Sequence, residues 1–255
     1  METSNPVLKE NTFAQARNFE STDSMTIQGV VNKTFILFGI FLAGAAWMWS
    51  QVMQSAVAGD KSGSVLIAVG PYIGGGALVG FLVAMVTCFK AEWAKVTAPI
   101  YALCEGLALG GISAIMEIRY PGIAIQAVAL TTAALFSLLT LYSTGIIKAT
   151  ERFKSVIFIA TMAIAVTYFV EFILGFFHRY IPVINTSSMG GIIFSLVVVG
   201  VAALNLIIDF DFIEQNANRQ TAKYMEWYAA FSLMVTLVWL YMEILRLLGK
   251  LRDRR

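Results

Sequence analysis

Glu105, Glu171, Asp209, Asp211 and Glu243 stand inside or at the edge of long apolar runs, and Glu214 follows Asp211 at helical spacing. A charged side chain at the centre of a bilayer costs about 2.5–3.5 kcal/mol on insertion scales, so each of these needs a partner or a use. A carboxyl group binds a cation when ionised and releases it when protonated. Burial disfavours its charged form and a nearby cation favours it. The chemistry this set supports is a proton-linked path for a cation. Structural accounts compete with it. Glu243 and Arg246 are three apart, within one helical turn, and can neutralise one another as a structural ion pair. Glu171 lies near the end of its run, within reach of the interface. Asp209, Asp211 and Glu214 fall where the sixth run ends, an ordinary place for charge. Glu105, followed by Gly106, has no local partner and is the best candidate on physical grounds alone.

Other chemistries lack their residues. His178, beside Arg179 at the end of a run, is the only histidine, so one chain cannot build a His-rich zinc site; it reads as an interfacial residue. There is no Gly-x-Ser-x-Gly elbow, no phosphate loop ending in Lys-Ser/Thr and no His-Glu-x-x-His, each of which a major class of hydrolase or nucleotide enzyme requires. Cys88 and Cys104 read as small apolar residues without a disulfide framework. The expectation is not an enzyme, and no cofactor.

The elements that position these carboxylates follow from composition. Of 255 residues, 58% are hydrophobic and 13% charged, against about 45–50% and about 25% in a soluble domain. The bilayer is the solvent that accepts such a chain. A transmembrane helix needs about 20 mostly apolar residues, and seven stretches qualify: 34–53, 65–89, 99–116, 123–147, 155–177, 190–208 and 228–248. The expected fold is all-α, a polytopic membrane bundle of about seven transmembrane helices over 25–255, preceded by a polar tail over 1–24. The longest connection, 209–227, is too short to fold alone. The net charge of +2 is spread over loops, which excludes a nucleic-acid partner.

Lys/Arg placement sets the orientation. With a cytoplasmic N-terminus, that side collects ten basic residues (Lys9, Arg17, Lys33, Lys90, Lys95, Lys148, Arg152, Lys154, Arg219 and Lys223) and the other side three, Lys61, Arg119 and Arg179. The C-terminal cluster of Arg246, Lys250, Arg252, Arg254 and Arg255 then falls outside, against the rule. The expected location is the cell (inner) membrane. In a background lacking Cys88 and Cys104, a cysteine at position 62 should label from outside intact cells and one at position 21 should not. The reverse result inverts the topology.

Gly70, Gly74, Gly76 and Gly80 form two Gly-xxx-Gly pairs in the second run, and Gly106 and Gly110 repeat the spacing in the third. Helices in lipid associate through close backbone approach, which small residues permit, so all six are expected at helix contacts.

LNLIIDFDFIEQ at 204–215 and KYMEWYAAFSLMVTLVWLYMEILRLLGKL at 223–251 resemble the last two segments of the Bax-inhibitor, or transmembrane Bax inhibitor motif, family. ALCEGLALGGIS at 102–113 is similar to that family's Glu-Gly-containing third segment. The resemblance implies a seven-helix bundle with a central last helix. It implies a pH-sensitive calcium leak pathway, as described for bacterial members, or else a non-conducting regulator that binds a membrane quality-control protease or stress-response partner. It also implies two aspartates facing each other from the sixth and seventh helices, with a calcium path between them. The first sits in an Asp-x-x-x-Ile pattern, which places that role, and a calcium contact, on Asp209. The second, matched without gaps from the Leu-Leu-Gly ending at Gly249, falls on Thr236, which does not ionise. Glu243, two turns on and near the same face, is the alternative carboxylate.

Overall fold

The computed structural model describes residues 24–57, 62–177, 179–181, 184 and 186–254, with side chains except at 57 and 62–68. The polar tail as far as Asp23, together with Lys61 and His178, lies outside these residues. The described chain forms seven helices: α1 (Ile27–Val57), α2 (Ser62–Phe89), α3 (Ala94–Arg119), α4 (Ile123–Ser143), α5 (Glu151–Phe176), α6 (Met189–Asn218) and α7 (Met225–Asp253). A 3-10 turn, Ala91–Trp93, leads from α2 into α3. All seven are long and apolar enough to cross a membrane. Among the described residues the only β pairing is one bridge between Ser24 and Ala222. The all-α, seven-span architecture is therefore the one the sequence predicts.

Local chemistry sets the helix ends. Thr150, extended at φ −67 and ψ 158, caps α5 by accepting from the Phe153 N–H, the usual work of a threonine N-cap. Gly145 follows α4 at φ +71, a left-handed conformation that costs glycine nothing. Glu117, near the end of α3, accepts from the Ala124 N–H at 3.0 Å, so a carboxylate satisfies a free donor at the start of α4. One end differs from expectation. The sixth apolar run stops at 208, but α6 continues to Asn218, and the connection shrinks to 219–224. Asp209 and Asp211 are thus interior positions of α6 rather than residues at its end. Hydropathy ends at the first charge; a helix continues when that charge is paired on its inward face.

Surface and interior are distributed as a bilayer demands. Phe35, Phe89, Phe136, Ile159, Phe172 and Phe176 are all exposed, a surface that lipid covers and water does not. About half of the most apolar stretch is buried in α3 (50%), α6 (50%) and α7 (56%), against 11–22% in the other helices. Those three are the helices that carry most of the intramembrane carboxylates.

The described residues divide into two compact units. One comprises 24–124 and 213–235: α1 to α3, the last turn of α6 and the first turns of α7. Here α3 packs on α1 through glycine. A Cβ at Gly106 would collide with the Phe41 carbonyl and one at Gly110 with the Ala45 carbonyl. Gly76 of α2 lies against α3, where an added Cβ would be 2.9 Å from the Cys104 carbonyl oxygen; at Gly80 it would be 3.2 Å from Glu105 Oε1. Among the described residues Gly70 and Gly74 make no such contact, because an added Cβ at either meets none of them within 4 Å. At about 100° per residue, Gly70 and Gly74 share a stripe about 120° around the helix from that of Gly76 and Gly80. The other unit comprises 125–212 and 236–254. Its core packs Ile157 and Ile164 of α5 against Val198, Val201 and Ile208 of α6, with Trp239 of α7 alongside.

Candidate functional site: a buried polar seam

In the second unit, α5 carries Lys154, Thr161 and Tyr168, and α7 carries Thr236, Glu243 and Lys250, each trio at intervals of seven. Seven residues are almost two full turns, with a drift of about 20°, so each trio occupies one helix face. Every member is engaged across a helix contact. Lys154 Nζ lies 2.7 Å from Asp211 Oδ2. Thr236 Oγ1 donates to Asp209 Oδ2 at 2.6 Å. Asn205 donates to Thr161 Oγ1 and to the Val201 carbonyl, both at 2.9 Å. The Tyr168 hydroxyl donates to Glu243 Oε1 at 2.9 Å and accepts from Arg246 Nη1 at 2.6 Å. Lys250 Nζ donates to Ser195 Oγ at 2.8 Å and to the Gly191 carbonyl at 3.0 Å.

These contacts form a file along α6. Partner numbers on α5 and α7 rise as those on α6 fall, so both run antiparallel to it. From Asp211 to Gly191 is twenty residues, about 30 Å of helix, which matches the hydrocarbon thickness of a bilayer. Asp209 (0% exposed), Glu243 (2%) and Lys250 (6%) are buried, as are Asn205 and Ser195. Asp211 is paired with Lys154 and Glu243 with Arg246, so much of the charge along the seam is balanced pair by pair. That balance makes the file tolerable in lipid, where an uncompensated charge is expensive.

The residues singled out in the sequence are distributed as follows. Asp209 and Thr236 are brought into direct contact. Glu243 and Arg246 form an ion pair at 3.1 Å, shared with Tyr168. Asp211 is held by Lys154, while Glu214 is exposed. Glu105 belongs to the other unit, half-buried on α3 over Gly80; among the described residues no hydrogen bond or ion pair engages it. Two members of the C-terminal basic cluster are not tail residues, because Arg246 and Lys250 are built into the seam. Sequence reading missed Lys154, Thr161, Tyr168, Ser195, Asn205 and Lys250. The seven-residue recurrence of polar side chains within apolar runs is the signal that marks most of them. It also missed a cluster in the first unit. There the Glu226 carboxylate takes Lys33, the Thr26 N–H at 3.0 Å and the Thr26 hydroxyl at 3.0 Å, tying the entry of α1 to the start of α7.

The sequence model of the family described as Bax inhibitor 1 like matches residues 5–253, nearly the whole chain. The chain belongs to the Bax inhibitor 1 like family. No curated protein and no solved structure matches it. In this Bax inhibitor 1 like protein the seventh-helix residue against Asp209 is a threonine, so the contact joins a carboxyl group to a neutral donor. Two groups that repel when both ionise are not what meets there. Among the described residues no three His, Cys, Asp or Glu side chains converge as metal ligands. Asp209 with Thr236 offers a cation one carboxylate and one hydroxyl. Calcium takes six to eight oxygens, more than this pair alone supplies.

Proposed function

We propose that this multi-pass membrane protein is a leak pathway for a cation, calcium foremost, regulated by protonation of Asp209. The observation that carries the reading is the placement of Asp209: fully buried inside α6, hydrogen-bonded to Thr236 of α7, within a polar file as long as a bilayer is thick. Ionised, Asp209 draws a cation into the file. Protonated, it loses that attraction, and flux falls as the medium is acidified. Asp211 and Glu243 share the file and are paired with Lys154 and Arg246, while Asp209 is the most deeply buried of the three and meets the hydroxyl of Thr236. Glu105 is a second candidate ion contact, on α3. The protein sits in the cell membrane with its N-terminus in the cytoplasm.

Calcium flux from proteoliposomes at about pH 5 and about pH 8, values that bracket neutrality, tests the reading. Flux is expected at the higher value and much less at the lower. A protein that passes no calcium at either value is not a pathway, and the reading is then the non-conducting one, a regulator that binds a membrane protease or stress-response partner.

A further inference from the structure

Lys250 has no part in gating by Asp209, yet it is among the most buried charged groups of the chain, 6% exposed. Its ammonium is held by oxygens: the Gly191 carbonyl at 3.0 Å and the Ser195 hydroxyl at 2.8 Å. These are four apart on α6, one above the other on the same face. A carbonyl and a hydroxyl at such distances are what a protein offers a permeating cation in exchange for its water. The position is therefore taken by a cation that belongs to the chain.

Its surroundings carry charge of both signs, since Glu243 and Glu171 as well as Arg246 act on the ammonium. Arg246, one turn back on α7, contributes a second positive charge, although its Nη1 is bound to Tyr168 and Glu243. Met189 begins α6 two residues before Gly191, and a helix N-terminus carries partial positive charge. Lys250 itself sits in the last turns of α7, where the negative end of the helix favours an ammonium. From Ser195 to Asp209 is fourteen residues, about 21 Å along α6. The file thus has its carboxylate gate toward one end and, at the other, an ammonium bonded to neutral oxygens while the neighbouring Arg246 is paired with Glu243.

We propose that Lys250 is a tethered cation that plugs the Met189 end of the pathway and sets it against divalent ions. This deepens the reading of Asp209 and rests on it. Repulsion between charges is stronger in a protein interior than in water, and it scales with the charge of the entering ion. A divalent ion therefore meets twice the opposition that a monovalent one does. The plug keeps calcium leak slow and discriminates by charge.

The test compares wild type, Lys250→Met and Lys250→Arg in proteoliposomes, with calcium and potassium flux measured separately at the permissive pH. Lys250→Met is expected to raise calcium flux at least about tenfold, and potassium flux by much less, because the barrier removed is larger for the divalent ion. Lys250→Arg keeps the charge and should stay near wild type for both. Thermal unfolding in detergent reports whether each variant folds. If Lys250→Met does not, Ser195→Ala is read in its place: it keeps the ammonium but removes one of its oxygens, and a smaller, calcium-biased rise is expected. A folded variant with calcium flux unchanged overturns the plug while leaving Asp209 gating intact. An equal rise for both ions also overturns it, since a loosened helix contact admits ions without regard to charge. If neither wild type nor Lys250→Met passes calcium or potassium, the pathway itself falls.

Discussion

Asp209→Asn is expected to hold calcium flux at its acid-side level at every pH, removing most of the pH response. The substitution keeps the shape of the side chain and removes only its ability to ionise. An asparagine still accepts the Thr236 hydroxyl, whose bond to Asp209 is 2.6 Å long, so the contact between α6 and α7 survives. Interhelical hydrogen bonds in membranes are worth about 0.6 kcal/mol on average, and even the loss of this one would leave the fold in place. The loss of function is thus separable from loss of structure. Retention of a full pH response in a folded Asp209→Asn protein would rule out Asp209 as the sensor.

Thr236→Asp is the complementary change. It sets a second carboxylate within hydrogen-bond distance of the first, and two such groups resist ionising together. The midpoint of the flux response should move upward in pH, with steps that belong to the pair rather than to either residue. Glu243→Gln separates a further possibility. Glu243 holds Tyr168 and Arg246, so its neutralisation leaves the partly exposed Arg246 guanidinium and the Tyr168 hydroxyl without their carboxylate. The expected result is lost stability with the flux midpoint unmoved. A shifted midpoint at unchanged stability would make Glu243 a sensor instead.

These expectations rest on a site that the sequence made only partly legible. Spans were readable because hydropathy over some twenty residues averages away local detail, and seven runs became seven helices. The meeting of Asp209 with Thr236 was also readable, through the family resemblance and an ungapped match of the two last segments. Their burial was not. Hydropathy treats Asp209 and Asp211 as the end of a run, whereas Lys154, counted among loop cations, reaches back from α5 and pairs with Asp211. The same limitation hid Lys250: in the sequence it counts with the C-terminal basic cluster, and only its partners on α6 distinguish it. Charge in a membrane helix is a pairwise property, and a one-dimensional scan assigns it residue by residue. The recurrence of Lys154, Thr161 and Tyr168 at intervals of seven is the kind of pattern that recovers part of it.

The glycines put the same distinction in stability terms and give the other large expected effect. Six were legible as small residues at four-residue spacing, but spacing alone does not say which stripe faces a partner. Gly106→Ala should destabilise by about 1–3 kcal/mol, the usual range for overpacking, because the new methyl group collides with the Phe41 carbonyl. A backbone carbonyl cannot rotate away as a side chain does, so α1 and α3 must separate along their contact, and Gly110 against Ala45 opens with it. Gly74→Ala should cost nothing. None of the described residues lies within 4 Å of its Cβ position, and alanine is the better helix former by about 1 kcal/mol in soluble hosts. Thermal midpoints in detergent compare the two directly: a fall of several degrees for Gly106→Ala, by the ordinary scaling of about 2–4 °C per kcal/mol, and no fall for Gly74→Ala. Equal behaviour of the two variants would mean that α3 does not pack on α1 through Gly106, and the glycine contact described between those helices would have to be withdrawn.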